Sequence, residues 1–456
     1  MRAHTSASAQ TPETLANAAK GDPRANPPSE RSAYLWNTAS SMLMAFQSVI
    51  MLMVLTRAVD MATAGVFTLA YANANLFLNL GKYGVRNYQV SDVDGTFGFR
   101  PYLCARLVTV AAMLVVGGGA LAWSTVTLGY PADKALTIAM MLVFKAIDAL
   151  EDVFHGNYQQ HGHLAVGARV LTARMLTMIA CFAGLIVVTR NLLVSLTVTT
   201  AFTGCFFACE TIWVWRRYGL PTAAPQGGKH FRGAPPDRGR KLLRDTVGLL
   251  KECFPVFLAL FLLFYIGNAP KYAIDAAMDD AAQAYYGFIA MPVFVVGLLA
   301  NFIYNPILAS LSKDWAEGRV GHFARRFALQ CLIIASLTAV CIAGAWLVGV
   351  PVLSVLYNAD LAPYKLDLVI LLVGGGFLAL ATLFTTGITI IRWQRRLILG
   401  YVAVSALAFL ACPRAVELAG IDGASWVYLA LMAVLTVWFG VIFAVGVLMG
   451  ARRARE

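Results

Sequence analysis

Charge is what this sequence has least of. Asp, Glu, Lys and Arg make up only 13% of its 456 residues while 59% are hydrophobic, and the mean hydropathy is +0.68. A soluble domain carries roughly 25% charged residues, so this composition excludes an ordinary soluble protein. Acidic residues are the scarcer sign, 24 against 36 basic, which leaves a net charge of +12. The motifs of covalent chemistry are also missing: there is no GxSxG, no GxxxxGK[ST] and no HExxH. Their absence excludes a nucleotide-driven pump in one chain. The eight cysteines form no CxxC pair and lie in or beside apolar runs, so they read as small packing residues rather than a disulfide framework or zinc site.

Long apolar runs are what the chain has in abundance. Twelve reach helix length, at about 33–56, 63–82, 103–126, 133–154, 166–189, 193–216, 248–267, 284–311, 324–350, 366–391, 396–412 and 424–449. A membrane crossing needs about 20 mostly apolar residues. Twelve crossings leave only short connections and no room for a catalytic domain outside the membrane. With both chain ends in the cytoplasm, 28 Lys and Arg fall on the inner face and 6 on the outer, as the positive-inside rule requires. The expectation is a multi-pass protein of the cell (inner) membrane with N- and C-termini cytoplasmic. The basic excess then reflects topology and anionic inner-leaflet lipid, and no nucleic-acid partner is expected.

Residues 1–32 read as a disordered basic tail, 33–216 as a first six-helix lobe and 217–247 as a cytoplasmic linker dense in Gly, Pro and Arg. Residues 248–450 read as a second six-helix lobe and 451–456 as a basic tail. The lobes echo each other: TRAVDMATAGVF (56–67) and PKYAIDAAMDDAAQAYYGF (270–288) each place a basic residue, then Val/Ile-Asp, then small residues ending in Gly and Phe. Parallel repeats of this kind form a central cavity where the two halves meet.

Polar residues inside spans mark pathways or partners, because each is costly there. Tyr71, Asn75, Asn79, Lys82 and Arg86 fall on one stripe of the second segment. That stripe suits a cavity wall meeting sugar hydroxyls and phosphate. It equally suits interhelical amide bonds with two positive-inside cations, and Gly81 and Gly84 could break the alignment. In the fourth segment Lys145 sits near the midpoint with Asp148 and Asp152 on its face. One reading pairs Lys145 with Asp148 as a self-neutralised strut. The other makes Lys145 a cavity cation and Asp148, Glu151 or Asp152 the site of a coupling proton or sodium ion. Glu210 is placed to pair with Arg216 or Arg217. HGNYQQHGH (155–163) supplies three His, but no carboxylate completes a ligand set after Asp152, so no metal or other cofactor is expected.

Three stretches resemble the Wzx-type polysaccharide and oligosaccharide-lipid flippases of the MOP superfamily, relatives of the MATE exporters. They are SAYLWNTASSMLMAFQSVIMLMVLTRAVDMATAGVFTLAYA (32–72), DVFHGNYQQHGHLAVGARVLTAR (152–174) and PKYAIDAAMDDAAQAYYGFIAMP (270–292), the last with Lys271 where Arg is usual. The resemblance implies an all-α integral membrane protein, a MATE-like V-shaped bundle of two six-helix lobes around a cationic central cavity. It implies a non-enzymatic flippase that turns a polyprenyl-pyrophosphate-linked glycan outward by alternating access. Glycosyltransferases or a polymerase of the same pathway would be its partners besides lipid. Within that frame the stripe and midplane arguments give Lys145, Arg174, Lys82 and Arg86 for the anionic head. They give Asn75, Asn79 and Tyr71 for sugar contacts, and Asp148 and Glu151 for ion coupling. A MATE-type multidrug exporter would instead want acidic cavity residues for cationic drugs, and a membrane glycan polymerase or ligase would want a large outer loop.

Overall fold

The computed structural model describes residues 30–92, 96–218 and 238–453, and these are almost entirely helical. In chain order the helices are α1 (Glu30–Ala58), α2 (Met61–Lys82), α3 (Val85–Ser91), α4 (Phe99–Leu128), α5 (Ala132–Gln160), α6 (Leu164–Thr189) and α7 (Leu192–Tyr218). There follow α8 (Arg238–Ala277), α9 (Asp280–Tyr304), α10 (Leu308–Ala316), α11 (Val320–Gly344), α12 (Val350–Tyr357), α13 (Lys365–Ile390) and α14 (Arg395–Arg453).

Ten of the described helices are long and apolar enough to cross a membrane. Two facts raise that to twelve crossings. Lys145, Asp148, Glu151 and Asp152 make α5 too polar for that set, yet its 29 residues pack among the spans. The 59-residue α14 is interrupted at Gly420, whose φ of 56° and ψ of −130° only glycine adopts without strain, so it folds into two antiparallel crossings. Helix continues to Tyr218 and resumes at Arg238, and the first 29 residues, 219–237 and the final three lie outside the described residues.

Side chains that would be buried in a soluble protein point outward: Val126 on α4 is 84% exposed, Val188 on α6 83% and Leu418 on α14 80%. Such a surface is stable only against hydrocarbon. We call the membrane face where α1 begins the near side and the opposite face the far side. Helices α1, α2 and α4 to α7 pack on one another, as do α9 to α14 with the far half of α8. The near half of α8 leans the other way, its Phe257 stacked on Tyr83 at 4.4 Å.

On the far side the two groups are clamped. Asp60 and Asp279 cap the first turns of α2 and α9, each accepting from a backbone N–H three residues on, at 2.8 Å. In the echoed Val/Ile-Asp pattern Asp60 corresponds to Asp275, whereas the capping role at the start of α9 falls to Asp279, four residues on. There α2 and α9 cross at closest approach, where a Cβ on Gly65 would overlap the Asp280 carbonyl and one on Gly287 would stand 2.6 Å from Thr68. Beside this crossing Lys134 of α5 donates to Asp275 of α8 at 2.7 Å and to Asp280 at 2.6 Å, and the Tyr130 hydroxyl bonds Asp275. Arg57 donates to the carbonyls of Val355 and Leu356 at 2.8 and 2.9 Å.

Candidate functional site

Between the two helix groups lies a cavity of about 580 Å³, lined from α1, α2, α8, α9, α13 and α14. Most of its wall is apolar, with Phe67, Leu260, Phe264, Phe294 and Leu371 among the lining residues. Four asparagines interrupt it, Asn75 and Asn79 on α2, Asn268 on α8 and Asn301 on α9. Each amide nitrogen donates to the carbonyl four residues back in its own helix, at 2.8 to 3.0 Å. Only Asn301 Oδ1 then has a partner, the Tyr304 hydroxyl at 2.6 Å. The other three carbonyl oxygens remain as acceptors for hydroxyl donors.

Lys271 is the one formal charge among the described lining residues, and no described residue hydrogen-bonds or ion-pairs with it. The sequence reading ended this segment at about 267 and so left Lys271 on the outer side. The helix instead continues through Pro255 and Pro270 to Ala277, which carries Lys271 into the cavity at i+3 from Asn268.

Tyr71, Asn75 and Asn79 therefore line the cavity together. Lys145 and Arg174 do not. Lys145 is 3% exposed and lies one layer behind the wall, 4.7 Å over the Tyr71 ring, donating to Asp148 at 2.9 Å and Gln47 at 3.3 Å. Arg174, 1% exposed, donates to the other Asp148 oxygen at 2.9 Å and pairs with Glu151. The strut reading of Lys145 is the one the geometry matches. With both oxygens occupied by fixed cations, Asp148 is a poor exchange site.

The stripe ends where α2 does. Tyr83 and Gly84 take left-handed conformations, so Arg86 belongs to the separate α3 and not to the face of Asn75. Lys82, Arg86 and the buried Arg106 gather instead around Asp152, at 4.0, 3.4 and 2.7 Å. Arg106 and Thr109 also bond the carbonyl of Gly81, which satisfies an acceptor that the helix end leaves open. At the end of α3, Asp92 accepts from the backbone of Thr96 and Phe97 and from the Tyr102 hydroxyl. Burial opposes its ionisation, but these donors outweigh burial and hold its carboxyl below the ordinary aspartate value.

Glu210 also departs from expectation. Its carboxyl does not reach Arg216 or Arg217 but lies with Glu151 and His155, their ligand atoms within 4.8 Å of one another. Carboxylate partners for a histidine of the HGNYQQHGH stretch thus exist, supplied by α5 itself and by α7. One turn separates Glu151 from His155 in sequence and was legible; the contribution of Glu210 required the α5–α7 packing.

No protein-family model and no curated protein matches this sequence. Solved structures do. The inward-facing conformation of a multidrug resistance MATE family transporter of the MOP superfamily superposes with a TM-score of 0.65 at 12% identity, over 90% of this chain and 95% of that one. The lipid II flippase MurJ in an inward closed conformation gives 0.66 at 10% identity, over 91% and 90%. An outward-facing multidrug resistance MATE family transporter gives 0.53 at 14% identity, over 95% and 97%. The fold is that shared by these transporters.

Proposed function

We propose that this protein is a carrier that moves a lipid-linked glycan with an anionic head from the cytoplasmic to the outer leaflet by alternating access. The observation that carries this reading is Lys271, an unpaired cation in a cavity whose described lining contains no carboxylate. A half-buried cation without a counter-charge is costly, and a cargo phosphate would remove that cost. The free amide oxygens of Asn75, Asn79 and Asn268 suit sugar hydroxyls, and the apolar wall suits the first isoprene units of a lipid carrier. The near side is then the cytoplasm, which agrees with the density of Lys and Arg there. Diphosphate recognition in this reading rests on Lys271 in the cavity, with Lys82 and Arg86, each about one-third exposed, at its near-side mouth.

The likeness to both a flippase and drug transporters supports transport rather than covalent chemistry. Cationic drugs are the weaker cargo, since Lys271 repels them. In proteoliposomes, Lys271→Ala should abolish transfer of a polyprenyl-diphosphate oligosaccharide and Lys271→Arg should keep part of it. Full transfer by Lys271→Ala, or transfer of a cationic dye in its place, would sink this reading.

A further inference from the structure

Behind the cavity wall three ligand atoms converge without a hydrogen-bond partner: Glu151 Oε1, His155 Nε2 and Glu210 Oε2. Their residues are 3, 6 and 8% exposed. The charges of the connected cluster do not close. With the His155 imidazole neutral, Lys145 and Arg174 supply two positive charges, while Asp148, Glu151 and Glu210 supply three negative ones. One uncompensated charge in a site this buried is expensive. A single proton brings the sum to zero and gives one carboxyl a hydrogen to donate to the other. A divalent cation would overshoot, leaving net positive charge beside Arg174.

His155 connects this cluster to water. It lines a second, smaller pocket at the near-side mouth together with Asn37, Ser40, Arg86 and Gly167. Its Nε2 stands 3.2 Å from Glu151 Oε1, and a Cβ added to Gly167 would stand 3.4 Å from Nδ1. The ring therefore spans from the carboxyl pair to the pocket. Tyr158 packs beside the imidazole with centroids 5.6 Å apart. The neighbouring Arg86 is held by Asp152, and Gln47 of α1 reaches only the Lys145 end of the cluster.

We propose that Glu151 and Glu210 share one exchangeable proton and that His155 passes it to and from water in the near-side pocket, making this cluster the coupling-ion site. The proposal rests on the transport reading above. In release, the Nε2 lone pair takes the carboxyl proton and leaves a carboxylate. The imidazolium then gives its Nδ1 proton to water, which leaves the Nε2–H tautomer; in reloading, Nδ1 takes a proton from water and Nε2 returns its own to the carboxylate, which restores the starting tautomer.

The test uses the full chain in lipid nanodiscs and the infrared carboxylic-acid band, followed as the water is changed to deuterium oxide. The wild type should show a band that shifts on exchange, and Glu210→Gln should remove it. Glu210→Asp guards against misfolding and should keep a shifted band. In His155→Gln the band should persist but exchange roughly a hundredfold more slowly, and Gly167→Ala, which shields Nδ1, should slow exchange with the imidazole still present. A band intact in both Glu151→Gln and Glu210→Gln, an exchange rate untouched by His155→Gln, or one tightly bound divalent metal per purified chain would overturn the proposal. Because the band is read without cargo, loss of the transport reading alone would leave it in place.

Discussion

At the scale of single residues, the buried cations of α5 and α6 behave as parts of one unit. Removing Arg174 strands the carboxylate of Glu151 and leaves Asp148 with Lys145 alone, so Arg174→Ala should cost about 3–5 kcal/mol of stability. Arg174→Lys should recover part of that loss, because one guanidinium nitrogen reaches both carboxylates and an ammonium bridges two of them elsewhere, at Lys134. Loss of folded protein on heating in detergent checks both. Lys145→Ala should likewise lower abundance rather than produce a stable, inactive carrier. Asp92 sets a pH dependence of the opposite kind to a buried base. Its carboxyl is held below the ordinary 3.8, so its contribution is complete above that value and disappears as pH falls through the lower folded value. Asp92→Asn should flatten the acid limb of a thermal-stability profile, and an unchanged profile would contradict the assignment.

Among elements, the decisive contacts are those that hold α5 to α8 and α9 on the far side. Replacing Lys134 by Ala leaves Asp275 and Asp280 without their cation and should loosen the clamp. Spin labels at Ala132 and Ala276 should then report a longer and broader distance distribution than in the parent. The same scale shows what was legible in the sequence. Hydropathy alone found every crossing, including polar α5 and the break near Gly420, because length and periodicity are local properties. The far end of α8 was not legible: the apolar run stops at about 267, whereas the helix runs on through Pro270, a residue without the N–H that continues a helix in water but tolerated inside a bundle. That shortfall hid Lys271. The stripe of α2 was legible as far as Asn79 because one helix fixes its angle, whereas the facing of Lys145 depended on how α1 and α6 pack and could not be seen from its own segment.

For the whole molecule, orientation is the open property with a direct readout. In a cysteine-free background, a cysteine at Ala276 should react with an impermeant thiol reagent in intact cells, and one at Ser91 should react only after the membrane is opened. The reverse pattern would invert the topology and with it the proposed direction of transport. The crossing of α2 and α9 at Gly65 and Gly287 adds a mechanical consequence. It lies close to the far end of α2, so it is a pivot with very unequal arms. Gly65 and Lys82 are separated by roughly 25 Å of helix, and a turn of about 15° would swing the near end by about 6 Å while Asp280, at the pivot, moves under about 1 Å. In the carrier proposed above, the near-side opening would thus widen by degrees to admit cargoes of different girth while the far-side ion pairs stay shut. Far-side release cannot come from further swing about that point; it requires the pivot itself to travel along the helices.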